Sequence, residues 1–348
     1  IKQLLGSRRA DFFCHRYGAI DEGNVTEDPH GEFGGRNILF QAVSEDETAA
    51  HFNIPLEELR TELAAAKAIL FEARLKRTRP HLDDKILTSW NGLMISALAK
   101  GAQVLNDGVY LDAAQRAARF LLHKMYSPET GTLLRRFREG DAAVEGFLDD
   151  YAFLAQALLD LYEAGGEPSH LIVAVWMASV GFPRFEDGGN GGFFSTTATG
   201  EALLLRIKDD YDGAEPSGNS VATDVLLRLA HITGNDTFRT SAEKSLRSSA
   251  PKLKEQPVQA PQMMVALGRW LTEPSQVVAR CETFDQKVKS LLHESWTQFK
   301  PTTTYAVVAD AAVEKLKDFA PFLAGLEREG KITLYECANF VCQLPKVF

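Results

Sequence analysis

This sequence has little cysteine, no long apolar run and no cluster of basic residues, and each absence excludes a class of protein. Its apolar runs stay shorter than the roughly 20 residues that a membrane-spanning helix needs. The first residues lack the apolar core and the cleavage site of a signal peptide. Four cysteines among 348 residues are too few for a disulfide framework, so we expect a reducing, cytoplasmic compartment.

The charge balance and the missing motifs narrow the choice of ligand. A formal net charge of -9, without a Lys/Arg-rich helix face, favours neither a nucleic-acid nor a membrane partner. HExxH motifs, paired histidine ligands and Walker-type loops are also missing, so we expect no cofactor and no metal. The glycines of "DGGNGGFF" precede no helical pattern and predict a turn rather than a phosphate cradle.

What the sequence does contain is a long helical pattern. With 45% hydrophobic and 24% charged residues, the chain can bury one large core. Amphipathic segments, typical of helices with one wet face, begin near Pro55 and Tyr110. Segments that are apolar nearly all round, and must be surrounded by other helices, begin near Trp90, Gly146, Gly218 and Gln259.

This alternation predicts a mainly α fold, an (α/α)6 toroid over residues 1–272 in which helical hairpins close around an axis. The chain does not begin with Met, so we expect the N-terminal part to be incomplete. A flat solenoid is the other interpretation, but its repeats are shorter and more uniform. Long Gly- and Asp-rich loops predict short strands at 192–196 and 203–208. After residue 272 the pattern predicts a small C-terminal α/β subdomain of βαβ type over 273–348.

Three of the apolar helices begin with polar residues. Thr88 or Ser89 can cap the first, and Ser217 can cap the third. Because outer helices return the chain between them, the inner helices run parallel and their N-terminal ends meet at one end of the toroid. Helix N-termini carry unpaired N–H groups and a partial positive charge, which stabilise carboxylates and hydroxyl-rich or anionic ligands. We therefore predict the functional site at this end.

Four motifs at these positions resemble a known family. They are "RPHLDDKILTSWNGLMI", "GFLDDYAF", "RIKDDYDGAEPSGNSVA" and the terminal "YECANFVCQLP". Together they resemble, collinearly from about Asp11 to Pro345, the helical part of the spermatogenesis-associated, thioredoxin-like-domain proteins and their bacterial homologues. The resemblance implies a toroid similar to those of N-acylglucosamine 2-epimerases and α/α-toroid glycoside hydrolases. It also implies a thioredoxin-like domain in the full-length protein, outside this chain.

The residues near the N-terminal ends of the inner helices include the types that sugar-processing enzymes use. Glycoside hydrolysis needs two carboxyl groups, whose separation decides the stereochemical outcome. Large aromatic rings offer apolar faces, and buried amides require hydrogen-bond partners. The predicted catalytic residues are Asp150, Asp149, Glu215 and Asp83. The predicted substrate-binding residues are Arg79, His81, Lys85, Trp90, Asn91, Tyr151, Asp209, Asp212 and Asn219.

Structural roles remain open for the paired acids. Neighbours on a helix differ by about 100°, so Asp149 and Asp150 cannot both face the axis. One is then a capping or rim residue and the other a site residue, unless both only favour the helix N-terminus. For Asp83 and Asp84, the alternative to a site role is a loop held by salt bridges.

Structural roles also remain open for the aromatic and amide residues. Trp90 and Tyr151 are either sugar-stacking platforms or part of the core. Asn91 and Asn219 each either tie down a neighbouring loop or bind a ligand hydroxyl.

Two functions follow from these residues. The first is a carbohydrate-binding or carbohydrate-active protein, glycoside hydrolase-like or sugar isomerase-like, whose carboxylates act as acid and base on a small sugar-like ligand. Epimerisation by histidines is disfavoured, because the inner helices offer only His231, near a C-terminal end. The alternative is a non-catalytic scaffold or client-binding module that works with the thioredoxin-like domain. Cys337 and Cys342 are interpreted as free thiols, with a redox link to that domain as the alternative.

Overall fold

The computed structural model describes residues 1–198 and 204–348. They form two compact units, Ile1–Asp83 and Asp84–Phe348. The predicted division at residue 272 stays a prediction, since residues on both sides of it lie within the second unit. Among the described helices, none combines the length and apolarity needed to cross a bilayer.

The first unit is a small helical body. Its helices are α1 (Lys2–Leu5), α2 (Ser7–Tyr17), α3 (Glu45–Phe52) and α4 (Leu56–Leu75). Ser44 caps α3 in a capping box, in which the Ser44 side chain accepts from the Glu47 N–H and the Glu47 carboxylate accepts from the Ser44 N–H. Phe12, Leu59 and Leu63 are buried between the helices and form part of the core of this unit.

The second unit alternates inner and outer helices, as the sequence predicts. The inner helices are α5 (Thr88–Leu105), α7 (Leu148–Gly165), α9 (Gly218–Thr233) and α11 (Pro261–Leu271). The outer helices are α6 (Gly108–Lys124), α8 (Pro168–Trp176) and α10 (Asp236–Glu255). A π-helical turn, Met177–Gly181, and a 3-10 turn, Phe182–Arg184, continue α8. The prediction of a mainly helical fold of the α/α-toroid class, with small sheets, is confirmed.

Close packing of the inner helices depends on glycine at one crossing. α5 packs on α7, α7 on α9 and α9 on α11. A Cβ atom on Gly92 of α5 would lie 2.8 Å from the Phe153 carbonyl carbon of α7, closer than atoms in contact can approach. Gly92 therefore allows the α5 and α7 backbones to touch, which brings the first turns of the two helices together.

A small antiparallel sheet covers the start of α5 and α7. Its strands are β1 (Ile86–Leu87), β2 (Tyr126–Ser127), β3 (Thr132–Arg138) and β4 (Asp141–Glu145). β3 is the shared strand and pairs with each of the other three. These strands were not predicted from the sequence, and β3 supplies an arginine to the site described below.

The C-terminal segment forms a second sheet, at the positions that the sequence predicts. β5 (Ser275–Cys281) and β6 (Thr303–Ala309) are parallel and are joined by α12 (Gln286–Trp296), which makes a βαβ unit. β7 (Ile332–Ala338) runs antiparallel to β5, and two short strands, β8 (Val341–Cys342) and β9 (Lys346–Val347), pair with β7. The short helices α13 (Val313–Leu316) and α14 (Pro321–Gly325) lie between β6 and β7.

The loop between α8 and α9 contains less strand than predicted. Within 192–196, Phe193 makes one isolated antiparallel bridge, to Glu186. Residue 203 of the second predicted strand lies outside the described residues, and 204–208 are not in a strand. These strand predictions are wrong for the described residues. One backbone hydrogen bond, from the Ser195 N–H to the Ile207 carbonyl, joins the two segments, and the Arg206 guanidinium donates to the Thr196 carbonyl.

The interpretation of two cysteines as free thiols is also wrong. Cys337 and Cys342 form a disulfide between β7 and β8, where the two residues lie directly opposite each other. Antiparallel pairing brings opposite residues within bonding reach, so a separation of five residues suits a disulfide across a hairpin.

Candidate functional site

The N-terminal ends of the inner helices converge, and shared caps hold them together. The Asp150 carboxylate accepts from the Ser89 N–H of α5, at 3.0 Å, and from the Phe147 N–H before α7, at 2.9 Å. A Cβ atom on Gly218, the first residue of α9, would lie 3.0 Å from the Asp149 nitrogen, so α9 begins beside α7. The predicted meeting of these helix ends is therefore present in the second unit.

An acid in the loop before α9 extends this arrangement to α11. Asp212 is buried, and one of its oxygens accepts from the Ser217 N–H at 2.8 Å. The other accepts from the N–H groups of Gln262 and Met263 in the first turn of α11. Asp212 thus satisfies unpaired donors at two helix starts, which is a structural role.

A pocket of about 780 Å³, here called the mouth pocket, opens at these helix ends. Aromatic, acidic and small residues share its wall. They are Trp90, Leu93, Phe147, Leu148, Asp149, Ser195, Asp209, Tyr211, Gly213, Ala214, Glu215, Pro216 and Gly218. The volume lies within the range of small-molecule sites.

Asp149 and Asp150 are adjacent in sequence but differ in exposure. The Asp150 side chain is 0% exposed and the Asp149 side chain is 24% exposed;. Burial, followed by the neighbouring charge of Asp149, raises the pKa of Asp150 to about 6, while Arg135 acts in the opposite direction. Asp150 is therefore the capping residue of the pair, and Asp149 is the one that lines the mouth pocket.

Arg135 of β3 anchors both acids. Its Nη1 lies 3.1 Å from both oxygens of Asp149 and 2.7 Å from Asp150 Oδ2. The guanidinium also stacks on the Phe147 ring, 4.5 Å from its centroid. Arg135 thus fixes the acid and the ring that face the pocket.

Elsewhere in the lining of the mouth pocket, Glu215 contacts Trp90. The Trp90 indole N–H donates to Glu215 Oε2 at 3.0 Å. Both side chains are exposed, and 62% of Trp90 is accessible, so its ring is open to a ligand. Trp90 therefore has the exposure of a stacking platform and not that of a core residue.

Tyr211 supplies a second exposed aromatic ring, and Asp209 lies beside it. The Lys252 ammonium lies 5.7 Å from the Tyr211 ring centroid and 2.7 Å from Asp210 Oδ1. The Tyr211 N–H donates to the Asp209 carboxylate at 3.3 Å. These contacts hold the loop that forms one side of the mouth pocket.

Three other predicted residues make structural contacts. Tyr151 is fully buried, and its hydroxyl accepts from the Leu133 N–H at 2.8 Å, so its ring belongs to the core. Asn219 exchanges hydrogen bonds with the Phe193 backbone and donates to the Asp209 carbonyl, which ties down the loop. Asn91 donates to the Leu87 carbonyl at 2.8 Å.

The charged segment before α5 is divided between the two units. Arg79, His81 and Asp83 are exposed near the end of the first unit, and their roles in a site stay predictions. Lys85 is exposed just before β1 in the second unit. Asp84 lies 2.7 Å from Arg138 of β3, which agrees with a loop held by salt bridges.

Sequence reasoning missed Arg135, Phe147 and Tyr211. Arg135 lies on a strand that was not predicted. Arg136 follows it directly, and the sequence alone does not show which of the two arginines reaches the site. Phe147 and Tyr211 stand within the quoted motifs, so their aromatic rings were the signal that could have identified them.

Comparison with known proteins gives distant structural likenesses. No protein-family profile matches the chain. A GH76 α-mannanase of Bacteroides thetaiotaomicron is 15% identical, with a TM-score of 0.39, over 49% of this chain and 42% of that one. A cellobiose 2-epimerase of Bacillus thermoamylovorans is 13% identical, with a TM-score of 0.41, over 48% and 45%. Likenesses at these scores do not bear on the ligand.

Comparison of sequences gives much closer relatives. A Caenorhabditis elegans protein is 34% identical over 99% of this chain and 49% of its own length. Human spermatogenesis-associated protein 20 is 36% identical over 94% of this chain and 43% of its own length. The chain thus spans less than half the length of these relatives. The predicted resemblance is confirmed: over nearly its whole length, the chain is homologous to spermatogenesis-associated protein 20.

Proposed function

We propose that the chain binds a small carbohydrate-like ligand in the mouth pocket. The observation that carries this proposal is the combination of exposed aromatic rings, Trp90 and Tyr211, with carboxylates in the lining of one open pocket. Aromatic faces pack against the apolar faces of a sugar ring, and carboxylates accept hydrogen bonds from its hydroxyl groups. The helix N-termini at this end provide a field that favours the acids.

The proposed acid/base pair is Asp149 and Glu215. These two carboxylates line the same pocket, whereas Asp150 is committed to capping two helices. Arg135 fixes Asp149 through both of its oxygens, and the Trp90 N–H fixes one oxygen of Glu215. Two positioned carboxyl groups are what glycoside hydrolysis requires, and proton transfer at a sugar carbon uses the same groups. A glycosidase-like or sugar isomerase-like reaction is the proposed chemistry.

A non-catalytic role is the second proposal, and one observation favours it. Both candidate carboxylates already have a donor, Arg135 or Trp90, and a group held in this way can bind a ligand without transferring a proton. In this case the chain would present a client to a thioredoxin-like domain of the longer protein.

The test is a thermal-shift series with D-glucose, N-acetyl-D-glucosamine and maltose. We expect at least one sugar to stabilise the wild type, and Trp90→Ala and Glu215→Gln to lose that response. Lys315→Gln, an exposed substitution outside the pocket wall, is the control and keeps it. No response of the wild type to a broader sugar panel would contradict sugar binding. Binding without turnover of glycosides or free sugars would support the non-catalytic role.

A further inference from the structure

The disulfide of the C-terminal sheet joins a firmly held strand to a weakly held one. Cys337 lies on β7 and Cys342 on β8. On its other side β7 pairs with β5, where Cys337 lies opposite Gln276, and the Gln276 amide donates to the His231 carbonyl in α9. Among the described strands, β8 pairs only with β7, over two residue pairs. The disulfide is therefore a covalent tie between a fixed strand and a loose edge strand.

The turn between these two strands has an unfavourable backbone conformation at one residue. Asn339 and Phe340 connect β7 to β8, and their φ angles are 47° and 63°. A two-residue hairpin turn with positive φ at both positions is of type I′, which favours Asn at the first position and Gly at the second. A residue with a Cβ atom and a bulky ring disfavours this conformation. The backbone of Phe340 therefore destabilises the closed hairpin, whereas the disulfide stabilises it.

In the closed hairpin, Phe340 covers a small cavity at the C-terminal end of α9. Its ring packs edge-to-face on Phe322 of α14, with the ring centroids 5.1 Å apart. A Cβ atom on Gly234, the residue after α9, would lie 3.8 Å from the same ring. The cavity measures about 190 Å³, and Asn339 and Phe340 form part of its wall. Movement of the hairpin tip would uncover this cavity and expose the Phe340 ring.

The two sulfurs of the disulfide differ in access. Cys337 is only 4% exposed, because its strand lies inside the sheet. Cys342 is half-buried, and its neighbours Val341 and Gln343 are exposed. A thiolate that reduces a disulfide must first approach one of the two sulfurs. The sulfur of Cys342 is therefore the one that a reductant in solution reaches first.

We propose that the Cys337–Cys342 disulfide is a reversible redox switch that a dithiol opens. One thiolate of the dithiol attacks the Cys342 sulfur and forms a mixed disulfide, and Cys337 leaves as a thiolate that takes up a proton. The second thiolate of the dithiol then attacks its own sulfur in the mixed disulfide, and Cys342 is released as a thiol. The protein disulfide gains two electrons, the dithiol is oxidised to a disulfide, and its two protons end on the cysteines. β8 and Phe340 are then free to leave β7, and oxidation of the two thiols closes the hairpin again.

The first experiment treats the folded protein with dithiothreitol and identifies the alkylated cysteines by mass spectrometry. We expect Cys337 and Cys342 to become alkylated without urea, while circular dichroism shows unchanged helix content. Hydrogen exchange of peptides covering 336–345 then compares the oxidised and the reduced protein. We expect the hairpin amides to exchange at least about tenfold faster after reduction, because the crosslink no longer restrains local opening. Oxidised glutathione should restore the slow exchange.

A pair of variants tests the role of the turn. Phe340→Gly and Phe340→Ala both remove the ring, but only glycine adopts a positive φ without strain. We expect reduction to accelerate hairpin exchange in Phe340→Gly by about threefold or less, and in Phe340→Ala at least as much as in the wild type. Equal acceleration in the two variants would show that the turn does not drive the opening.

Single cysteine variants test access and specificity. The free Cys342 of Cys337→Ser should react faster with iodoacetamide than the free Cys337 of Cys342→Ser, and equal rates overturn the attack at Cys342. Cys14→Ser, which removes a cysteine outside the disulfide, is the control and should keep the full response to reduction. A disulfide that is reduced only after unfolding in urea overturns the proposal, as does equal hairpin exchange in the oxidised and reduced wild type.

Discussion

The two ends of the inner helices carry similar residue types but use them differently. The described wall of the mouth pocket has three carboxylates, Asp149, Asp209 and Glu215, and no cationic side chain. Another cavity, of about 410 Å³ and here called the far cavity, is lined by later turns of α5 and α7 and by α9. It also has three carboxylates, Asp160, Glu163 and Asp224, but arginine and lysine side chains pair with all of them. At the mouth, Arg135 lies outside the pocket lining and pairs with Asp149. Asp209 and Glu215 accept from N–H groups instead, so the acids are only partly neutralised at the mouth and fully paired at the other end.

The helix macrodipole favours the acid at the start of α7 and the cations in the later turns of α5 and α9. Carboxylates are stabilised near helix N-termini, and cations near helix C-termini. Asp149 lies in the first turn of α7, whereas Lys100 and Arg228 lie in the later turns of α5 and α9. Asp160 and Glu163 lie in the later turns of α7, against this preference, and the cations at that end neutralise them. The acids of the mouth thus remain partly accessible, and the far cavity holds a network of ion pairs.

The largest expected effect comes from breaking the network of buried ion pairs in the far cavity. Arg228→Met leaves Asp160 and Glu163 buried with Lys100 as their remaining cation. Removing one partner of a buried ion pair costs about 4 kcal/mol of unfolding free energy. Urea denaturation measures this cost, and Arg247→Met, which removes an exposed pair with Glu243, is the control and should cost less than about 0.5 kcal/mol. A loss below 1 kcal/mol for Arg228→Met would contradict a tightly paired network.

The next largest expected effect distinguishes Asp150 from Asp149 by the stability that each contributes. Asp150→Ala leaves the N–H groups of Ser89 and Phe147 without their acceptor, so we expect a loss of about 3 kcal/mol. Asp149→Ala removes a partly exposed group, and we expect about 1 kcal/mol or less. Urea unfolding of the two variants under one condition makes the comparison. Equal losses would contradict the assignment of Asp150 as the cap and Asp149 as the pocket residue.

A third effect concerns pH and a buried histidine in the last turn of α9. Burial, followed by the charge of Arg269, lowers the pKa of His231 to about 4. The unfolded chain therefore takes up the proton first, so the stability contributed by the neutral ring is complete above pH 6.5 and lost as the pH falls toward 4. We expect this loss to be on the order of 2 kcal/mol.

The measurement compares unfolding free energies at pH 7 and pH 4.5 in matched variants. His231→Leu should lose less stability than the wild type over this range. His123→Gln, at an exposed position, should follow the wild type. Identical pH dependence of His231→Leu and the wild type would show that another group causes the loss.

Much of the fold was predictable because its signals are local. The apolar patterns of α5, α7 and α9 identify buried helices. The valine- and threonine-containing segments that form β5 and β6 identify strands. β3 and β4 were missed, because an arginine-rich strand is stabilised by its neighbours and not by its own composition. The sequence also could not show which of Asp149 and Asp150 caps the helices, because the Ser89 N–H that bonds to Asp150 lies 61 residues away in sequence.

The smallest expected effect sharpens the contrast between the two ends. A double-mutant cycle on Trp90→Phe and Glu215→Gln measures the energy that couples the two pocket residues. Both are exposed, so the hydrogen bond competes with water and we expect a coupling of about 0.5 kcal/mol or less. The same cycle on Arg228→Met and Asp160→Asn should give a coupling of several times that value, because both groups are buried. A strong coupling at the mouth would mean that Trp90 and Glu215 are a structural pair, and a ligand would then have to break their contact before Glu215 could bind it.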